Sequence, residues 1–401
     1  ALSIAKQGHE VQLVEKAKDL GGMSRRLHTT LEGLDVQPHL DNLIQMVYQN
    51  PGIHVSHEST IKHVDGYIGN FTTTIETEGR TKEIKHGASV LAIGAQEYKP
   101  SEYLYGTNES VFTHMELGEE IARENDVVLD AEVLVMIQGV GSRNEERNYC
   151  SRVCCGHAVK NAIKLKKLNP EMRIYVLFRD VRTYGFREDS YREAMEMGVQ
   201  FIRYTPEDPP VVEETKEGGK VVIRVIVSDP ILGQRLELDA DVLSLAAAVI
   251  PASTTPEIAR MFKAALSVDE FFKEAHVKLK PVEFATGGVF LCGTAHYPKH
   301  IPETINQSYG AAGRALTLLS QDTVTTSGTV ARINYKTCVG CQTCLPLCPY
   351  GAISYNSKKK VCVVNQILCK GCGNCASACP CHCANLLGYK PEQILTQIGA
   401  I

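Results

Sequence analysis

The chain has 401 residues, with 44% hydrophobic and 22% charged side chains and a formal net charge of −4. A chain longer than ~300 residues predicts two or three domains. The small net charge gives no reason to expect a nucleic acid or an anionic membrane as partner, and no apolar run reaches the ~18 residues that cross a bilayer. We therefore expect a globular, cytoplasmic protein.

The amino-terminal residues predict part of a dinucleotide-binding unit. Residues 1–8 have the pattern of a helix end, and residues 11–15 have that of a strand ending on an acid. In such units this acid, here Glu15, hydrogen-bonds the ribose of the adenine half of the ligand. Gly21 and Gly22 follow, where the chain would pass close to a pyrophosphate. The first strand and its glycine-rich loop would precede residue 1, so we expect this chain to lack the amino-terminal part of the unit.

Two further strands run into turns of small residues. One lies at 89–95, after a meander at roughly 60–86, and the other lies at 288–294, before a helix rich in glycine and alanine. Three such segments in this order are typical of a flavin-binding α/β fold, whose last helix points its N-terminus at the flavin. An α/β domain without flavin is the alternative. The candidate flavin-binding residues are Glu15, Gly21, Gly22, Ala92, Gly94, Gly293, Thr294 and Ile301.

The middle of the chain predicts a second nucleotide-binding-like unit inserted into the first. A strand at 132–137 runs into the loop Gly139-Val-Gly141-Ser-Arg143. This loop lacks the third glycine of a G-x-G-x-x-G motif, and cysteines crowd the helix that follows. We therefore do not expect a nicotinamide nucleotide to bind there. The apolar stretch 242–250 predicts one buried strand.

Cysteines are concentrated in the tail of the chain. Eleven of the fifteen lie between Cys338 and Cys383, which favours metal clusters over disulfides. The runs 338–349 and 369–380 each read C-x2-C-x2-C-x3-C-P, the two-cluster ferredoxin pattern in which the fourth cysteine of each run binds the other cluster. Paired disulfides or a zinc ribbon are the alternative. A zinc ribbon needs only two C-x2-C pairs, whereas this tail has two runs of four cysteines, each closed by a proline. The predicted ligands are Cys338, Cys341, Cys344 and Cys379 for cluster 1, and Cys369, Cys372, Cys375 and Cys348 for cluster 2.

Three tail cysteines lie outside these ligand sets. Cys362 falls in an apolar stretch at 361–364 that predicts a short strand, so we expect it to be a small buried hydrophobe. Cys381 and Cys383 directly follow the second run. A ligand role for these two stays open, although all eight cluster positions are already filled.

These residues resemble the A subunit of heterodisulfide reductase over nearly the whole chain. The stretch Tyr149-Cys-Ser-Arg-Val-Cys-Cys155 is the most specific part of the resemblance. The resemblance implies an α/β, two-dinucleotide-binding flavoprotein fold like that of thioredoxin reductase, followed by an α+β ferredoxin domain with two [4Fe–4S] clusters. The other stretches that carry it are Tyr67-Ile-Gly-Asn-Phe71, Glu97-Tyr-Lys-Pro100, Gly141-Ser-Arg143, Arg182-Thr-Tyr-Gly185, Glu274-Ala-His-Val-Lys-Leu279 and Pro298-Lys299.

The resemblance also implies an activity. The family binds FAD and passes electrons from a hydrogenase, formate dehydrogenase or NADH-oxidising module toward ferredoxin and toward disulfide-reducing subunits, and some members bifurcate electrons at the flavin. Lys299 would lie near the isoalloxazine and stabilise a reduced, anionic flavin, which makes it the candidate catalytic residue. Two alternatives remain: an NAD(P)H-dependent reductase of the glutamate-synthase small-subunit type, and a flavin-free electron relay or scaffold.

A third cluster depends on a residue that this chain lacks. The family usually carries a cysteine where this chain has Gly139, and there that cysteine would join Cys150, Cys154 and Cys155 in holding a cluster. With three thiolates left, the cluster is absent, uses another ligand or is labile. The alternative is three buried cysteines at the start of a helix.

These patterns divide the chain into five segments. The predicted segments are residues 1–130 (first part of the FAD-binding domain), 131–250 (inserted nucleotide-binding-like domain), 251–320 (final part of the FAD-binding domain), 321–328 (linker) and 329–401 (two-cluster ferredoxin domain).

Overall fold

The computed structural model describes residues 1–217, 220–325 and 328–400. Residues 218–219 of the predicted inserted domain, 326–327 of the predicted linker and residue 401 of the predicted ferredoxin domain lie outside the described residues. Within the described part, no helix has both the length and the apolar character needed to span a membrane.

The first part of the chain builds a parallel strand pair and an antiparallel meander. β1 and β2 pair in parallel, and β3, β4 and β5 form the meander. Phe71 and Ile75 of β4 are buried on one face, as the two-residue period of a strand requires. The helices are α1 (Leu2–Ala5), α2 (Gln37–Gln49), α3 (His114–Ala122) and α4 (Asp126–Leu129). The strands are β1 (Val11–Val14), β2 (Ile53–Ser56), β3 (Ser59–Tyr67), β4 (Asn70–Thr77), β5 (Arg80–His86), β6 (Ser89–Leu91), β7 (Ala95–Glu97) and β8 (Val111–Thr113).

The middle part contains a five-stranded parallel sheet with the order β11-β10-β9-β15-β8. β9 is buried almost throughout, which is typical of a parallel strand covered on both faces. The predicted single strand at 242–250 is two strands, because β15 joins the parallel sheet whereas β16 pairs with β7. The helices are α5 (Cys154–Leu168) and α6 (Arg187–Glu196). The strands are β9 (Val133–Val140), β10 (Arg173–Phe178), β11 (Gln200–Arg203), β12 (Val211–Glu217), β13 (Lys220–Asp229), β14 (Gln234–Ala240), β15 (Val242–Ala247) and β16 (Val249–Pro251).

The third part of the chain packs back against the first part. Its elements are α7 (Thr255–Phe262), β17 (Val289–Leu291) and α8 (Ile301–Leu319). β17 pairs in parallel with β6, so the turns after these two strands lie at the same edge. α8 then runs back along the sheet for 19 residues, a length of ~28 Å. Ala311 and Ala315 on α8 are fully buried and let the helix pack closely.

The tail consists of two antiparallel strand pairs, β18–β21 and β19–β20, with two helices. It packs where β17 begins, since Lys370 contacts Gly287 and Lys263 contacts Gly351. The tail therefore lies near the C-terminus of α8, at the far end from the turn after β17. Its elements are β18 (Ala331–Ile333), β19 (Ile353–Asn356), β20 (Val361–Val364), α9 (Asn374–Ser377), β21 (Ala384–Leu386) and α10 (Pro391–Gly399).

Candidate cofactor sites

Each predicted set of four cluster cysteines lines one cavity of the tail. In each set, three cysteines come from one run and the fourth comes from the other run, as the spacing predicts. The structure thus brings together the residues that the sequence assigns to each cluster. The cluster-1 cavity is lined by Cys338, Cys341, Cys344 and Cys379, and the cluster-2 cavity is lined by Cys369, Cys372, Cys375 and Cys348.

Glycines within the two runs allow the chain to turn tightly beside each cavity. Gly340 has φ 69°, and a Cβ added there would lie 2.3 Å from the carbonyl oxygen of Lys360. Gly371 has φ 66°, and a Cβ there would lie 2.5 Å from the carbonyl oxygen of Thr329. Both positions combine a left-handed backbone with a close backbone neighbour, so only glycine fits without a shift.

The surroundings of the thiols fit iron–sulfur clusters. The backbone N–H of Ala331 donates to Cys369 Sγ at 3.3 Å, and that of Ala352 donates to Cys348 Sγ at 3.3 Å. The Thr343 hydroxyl donates to Cys341 Sγ at 3.4 Å. Such donors stabilise thiolates bound to a cluster. In the described part of the chain, no three His, Cys, Asp or Glu side chains are placed to hold a single metal ion.

Three further thiols, outside the two predicted ligand sets, lie beside cluster 1. Cys362, Cys381 and Cys383 all line the cluster-1 cavity. Cys362 is buried, as predicted, and Cys383 is buried as well. The two cavities therefore differ, because among the described residues the cluster-2 cavity is lined by its four predicted ligands and no other cysteine.

The predicted flavin-binding turns meet at one edge of the β6–β17 pair. Gly94 has φ 72° and Gly293 has φ 74°, and a Cβ added at Gly94 would lie 3.8 Å from Thr294 Oγ1. Ala92 is exposed between β6 and Gly94, and Ile301 begins α8 beside this edge. These glycines would let backbone approach a planar ligand closely.

The other predicted flavin residues follow β1. The Glu15 carboxylate accepts a hydrogen bond from the backbone N–H of Ala17 at 2.8 Å. Gly21 and Gly22 have φ 117° and 50°, and a Cβ at Gly22 would meet no atom within 4 Å. This segment therefore has open space beside Gly22.

Lys299 is a buried cation at the flavin-binding edge, with only 5% of its surface exposed. Its Nζ donates to the carbonyl oxygen of Gly293 at 2.6 Å and to Gln307 Oε1 at 2.7 Å. It also lies 3.9 Å from the centre of the Tyr297 ring, a cation–π contact. Burial lowers the pKa of Lys299 to about 8. The ammonium group is thus charged at neutral pH but close to losing its proton.

A chain of side chains continues from Lys299 through Gln307. Gln307 Oε1 also accepts from the Gly293 N–H at 2.9 Å, which turns its amide nitrogen toward His296 Nδ1 at 2.7 Å. His296 Nε2 then donates to Glu274 Oε2 at 2.8 Å. Burial lowers the pKa of His296, although the Glu274 hydrogen bond opposes this. Sequence reasoning did not find Gln307 or His296, because neither belongs to a motif.

Arg152 connects the cysteine-rich middle segment to this edge. Its guanidinium donates to the carbonyl oxygen of Pro298 at 3.0 Å, to Glu303 Oε1 at 2.7 Å and to the Tyr184 hydroxyl at 2.8 Å. Nearby, among the described residues, His300 Nε2 is buried without a hydrogen-bond partner at the N-terminus of α8. An unpaired buried nitrogen and a buried cation fit the polar part of a flavin cofactor.

The three cysteines of the middle segment gather at the start of α5. Cys154 and Cys155 are buried and their thiols hydrogen-bond each other, which together with burial raises the pKa of Cys154. The backbone N–H of Arg152 donates to Cys150 Sγ at 3.3 Å. The structure thus brings these three residues close together.

An arginine fills the space beside Gly139, the position at which the resemblance implies a fourth cysteine. A Cβ added at Gly139 would lie 2.2 Å from Arg179 Nη2. Arg179 is held there by hydrogen bonds of 2.9 Å to the carbonyl oxygens of Gly139, Ser142 and Arg143. The three cysteines therefore do not fit a cluster held by four thiolates.

The same loop is closed to a nucleotide. A Cβ added at Gly141 would lie 2.3 Å from the Tyr98 ring, and the Arg147 guanidinium stacks over that ring at 4.5 Å. A phosphate-binding loop needs backbone that a ligand can approach. Here Tyr98 and Arg179 cover that backbone.

The fold and the cysteine cavities define a class of protein: an oxidoreductase with a thioredoxin-reductase-like fold joined to a domain for two [4Fe–4S] clusters. The solved structure of T. acidophilum thioredoxin reductase shares this fold, with a TM-score of 0.54, 13% identity, and coverage of 80% of this chain and 94% of that one. The family model described as "4Fe-4S dicluster domain" matches residues 331–380.

Curated relatives give the family. The chain is 32% identical to the iron-sulfur A subunit of the CoB–CoM heterodisulfide reductase of Methanocaldococcus jannaschii, covering 100% of this chain and 75% of that protein. It is 31% identical to the A subunit of the H2/formate:CoB–CoM heterodisulfide, ferredoxin reductase of Methanococcus maripaludis, covering 89% and 68%. The chain belongs to the family of heterodisulfide reductase A subunits, which confirms the resemblance and the predicted fold class.

Proposed function

We propose that this chain carries electrons between FAD and two [4Fe–4S] clusters as the A subunit of a heterodisulfide reductase-type complex. The observation that carries the proposal is the sorting of eight cysteines into two sets of four, each around its own cavity and each completed from the other run. Disulfide or zinc chemistry would not require this exchange of the fourth ligand.

In this proposal the eight tail cysteines are the cluster ligands. Bound there, the clusters would supply single-electron transfer. The protein's own part is to hold the thiolates, to donate hydrogen bonds through Ala331, Ala352 and Thr343, and to keep the apolar walls of Ile353 and Val364 around cluster 2. These contacts set how easily each cluster takes an electron.

The flavin site would be formed by Glu15, Gly21, Gly22, Ala92, Gly94, Gly293, Thr294, Lys299 and Ile301. Bound FAD would supply electron-pair chemistry. Lys299 would hold a positive charge at Nζ beside it, oriented by Gln307 and by the Gly293 carbonyl. A fixed cation in a buried site favours an added negative charge, so it would favour the reduced, anionic flavin.

The names of the relatives support part of the proposed set of partners. The Methanococcus maripaludis protein is named for H2, formate, the CoB–CoM heterodisulfide and ferredoxin. We propose that this chain likewise works with disulfide-reducing subunits, with ferredoxin, and with a hydrogenase, formate dehydrogenase or NADH-oxidising module as donor. Bifurcation at the flavin is part of this proposal, and so is the division into segments at 130, 250, 320 and 328.

An iron and flavin count on the purified chain tests the proposal. After anaerobic reconstitution we expect about eight irons and one FAD per chain. Eight irons without flavin would favour a relay, and fewer than about four irons would contradict the proposed clusters. NADH added without partners should leave the flavin oxidised, because Tyr98 and Arg179 cover the middle loop.

A further inference from the structure

The cluster-1 cavity holds more thiols than one cluster can bind. Seven cysteines line it, and four of these complete the ligand set. Two of the other three, Cys362 and Cys383, are buried, with 3% and 5% of their surfaces exposed. Buried thiols placed against a cluster differ from ordinary core cysteines, because their nearest polar neighbours are cluster ligands.

Each buried surplus thiol contacts a predicted ligand. Cys383 Sγ lies 3.3 Å from Cys379 Sγ. Cys362 lines the same cavity as Cys344 and packs with it in one buried cluster. Two of the four predicted ligands of cluster 1, Cys379 and Cys344, therefore have a second thiol beside them.

Metal binding fixes which thiol donates in these contacts. A cysteine that binds iron does so as a thiolate and carries no proton. The proton in each sulfur–sulfur contact must then belong to the cysteine that binds no metal. With cluster 1 bound, Cys362 would therefore donate toward Cys344, and Cys383 would donate toward Cys379.

We propose that Cys362 and Cys383 are positioning residues that donate S–H hydrogen bonds to the ligand sulfurs of cluster 1 and thereby raise its reduction potential. The inference rests on the proposed function, since it needs cluster 1 to be bound. The physical reason is that the reduced cluster carries one more negative charge than the oxidised cluster. A donor aimed at its sulfurs stabilises the reduced form more.

The test is a redox titration of the reconstituted full chain, followed by the electron paramagnetic resonance signals of both clusters. We expect Cys362→Ala and Cys383→Ala each to move the potential of cluster 1 to a more negative value. Cluster 2 is the internal control, because no surplus cysteine of the described chain lines its cavity. Thr343→Val, which removes a donor to Cys341, identifies the signal of cluster 1.

Two further variants separate hydrogen bonding from a change in packing. Cys362→Ser and Cys383→Ser keep a donor, so we expect potentials nearer to those of the unchanged chain. Cys381→Ala is the matched control, because Cys381 lines the same cavity but is exposed.

The outcomes separate this inference from the proposed function. About eight irons with unmoved potentials in both alanine variants would contradict the inference alone. If an alanine variant loses the cluster-1 iron and no other variant at that position recovers it, that cysteine is a ligand of the cluster. This outcome would also overturn the inference. Fewer than about four irons in the unchanged chain would overturn the proposed function, and the inference with it.

Discussion

Lys299 Nζ and the carbonyl oxygen of Gly293 lie 2.6 Å apart, so a buried cation holds the turn that follows β17. Gln307 contacts both of these residues, because its Oε1 accepts hydrogen bonds from Lys299 Nζ and from the Gly293 N–H. The turn, the cation and the first half of α8 therefore form one hydrogen-bonded unit at the predicted flavin edge.

The first prediction concerns the pH dependence of the flavin. Burial lowers the pKa of Lys299 to about 8, so the ammonium group is charged below that pH and neutral above it. The titratable groups that face it are the charged Glu303, Arg152 and Glu274 and the Cys292 thiol, whose pKa is raised by burial. We expect Lys299→Met to lower the reduction potential of bound FAD below pH 8, and the difference from the unchanged chain to vanish as pH rises through about 8. Spectroelectrochemical titration across this range measures it. A difference that stays constant with pH would show that Lys299 acts without titrating.

The second prediction concerns the support of Lys299. Gln307→Leu removes an acceptor from the ammonium group, so the buried charge is less stable. We expect Lys299 to lose its proton at a lower pH, and the break in the FAD potential to move to lower pH with it. Asn306→Leu is the matched control, because Asn306 is the preceding residue of α8 and is exposed. Equal breaks in the two variants would contradict the role of Gln307.

The third prediction concerns the three cysteines at the start of α5. Gly139→Cys by itself should leave the iron content at about eight per chain, because Arg179 occupies the space of the new side chain. In Gly139→Cys/Arg179→Ala the fourth thiol has room beside Cys150, Cys154 and Cys155, and we expect about twelve irons. Arg179→Ala alone is the control and should stay near eight. Twelve irons in the unchanged chain would show that three thiolates suffice.

The fourth prediction concerns the turns of the cysteine runs. Gly340→Ala places a Cβ 2.3 Å from the Lys360 carbonyl oxygen at φ 69°, so the loop must move away from the cavity. We expect loss of about half of the iron, with the cluster-1 signal affected first. Gly388→Ala is the control, because its φ of 87° brings a similar backbone strain of about 1–2 kcal/mol without any atom within 4 Å. If both variants keep their iron, the close contact at Gly340 is unimportant.

The spacing of the cysteines carried most of what could be predicted for the tail. Each C-x2-C-x2-C-x3-C-P run predicts three ligands for one cluster and one for the other, and the structure gathers both sets around separate cavities. The sequence predicted Cys362 to be buried and left a ligand role for Cys383 open, but it did not place either at the cluster-1 cavity, which they reach through β20 and through the turn after the second run. Spacing within a run contains no information about either.

In the middle segment and at the flavin edge, the strands could be predicted from the sequence but the side-chain contacts between them could not. The strands at 89–95 and 288–294 were predicted from apolar runs, and their parallel pairing follows from the fold class. The hydrogen bonds among Lys299, Gln307, His296 and Glu274 join residues up to 22 positions apart, counted from Glu274 to His296. Likewise, Arg179, which directly follows the neighbouring strand β10, covers Gly139. Such contacts depend on tertiary packing.

The direction of α8 has a consequence for electron flow. Its N-terminus lies beside Lys299, and its C-terminus leads toward the tail, 19 residues away or ~28 Å along the axis. Electron tunnelling falls off exponentially with distance, so we expect transfer between the predicted flavin and the tail clusters to be the slow step of the proposed electron transfer. An electron placed on the tail would then remain there long enough for a partner protein to collect it. Slow reoxidation of the tail clusters by the chain's own flavin, measured by rapid-mixing spectroscopy without partners, would support this slow step, and fast reoxidation would contradict it.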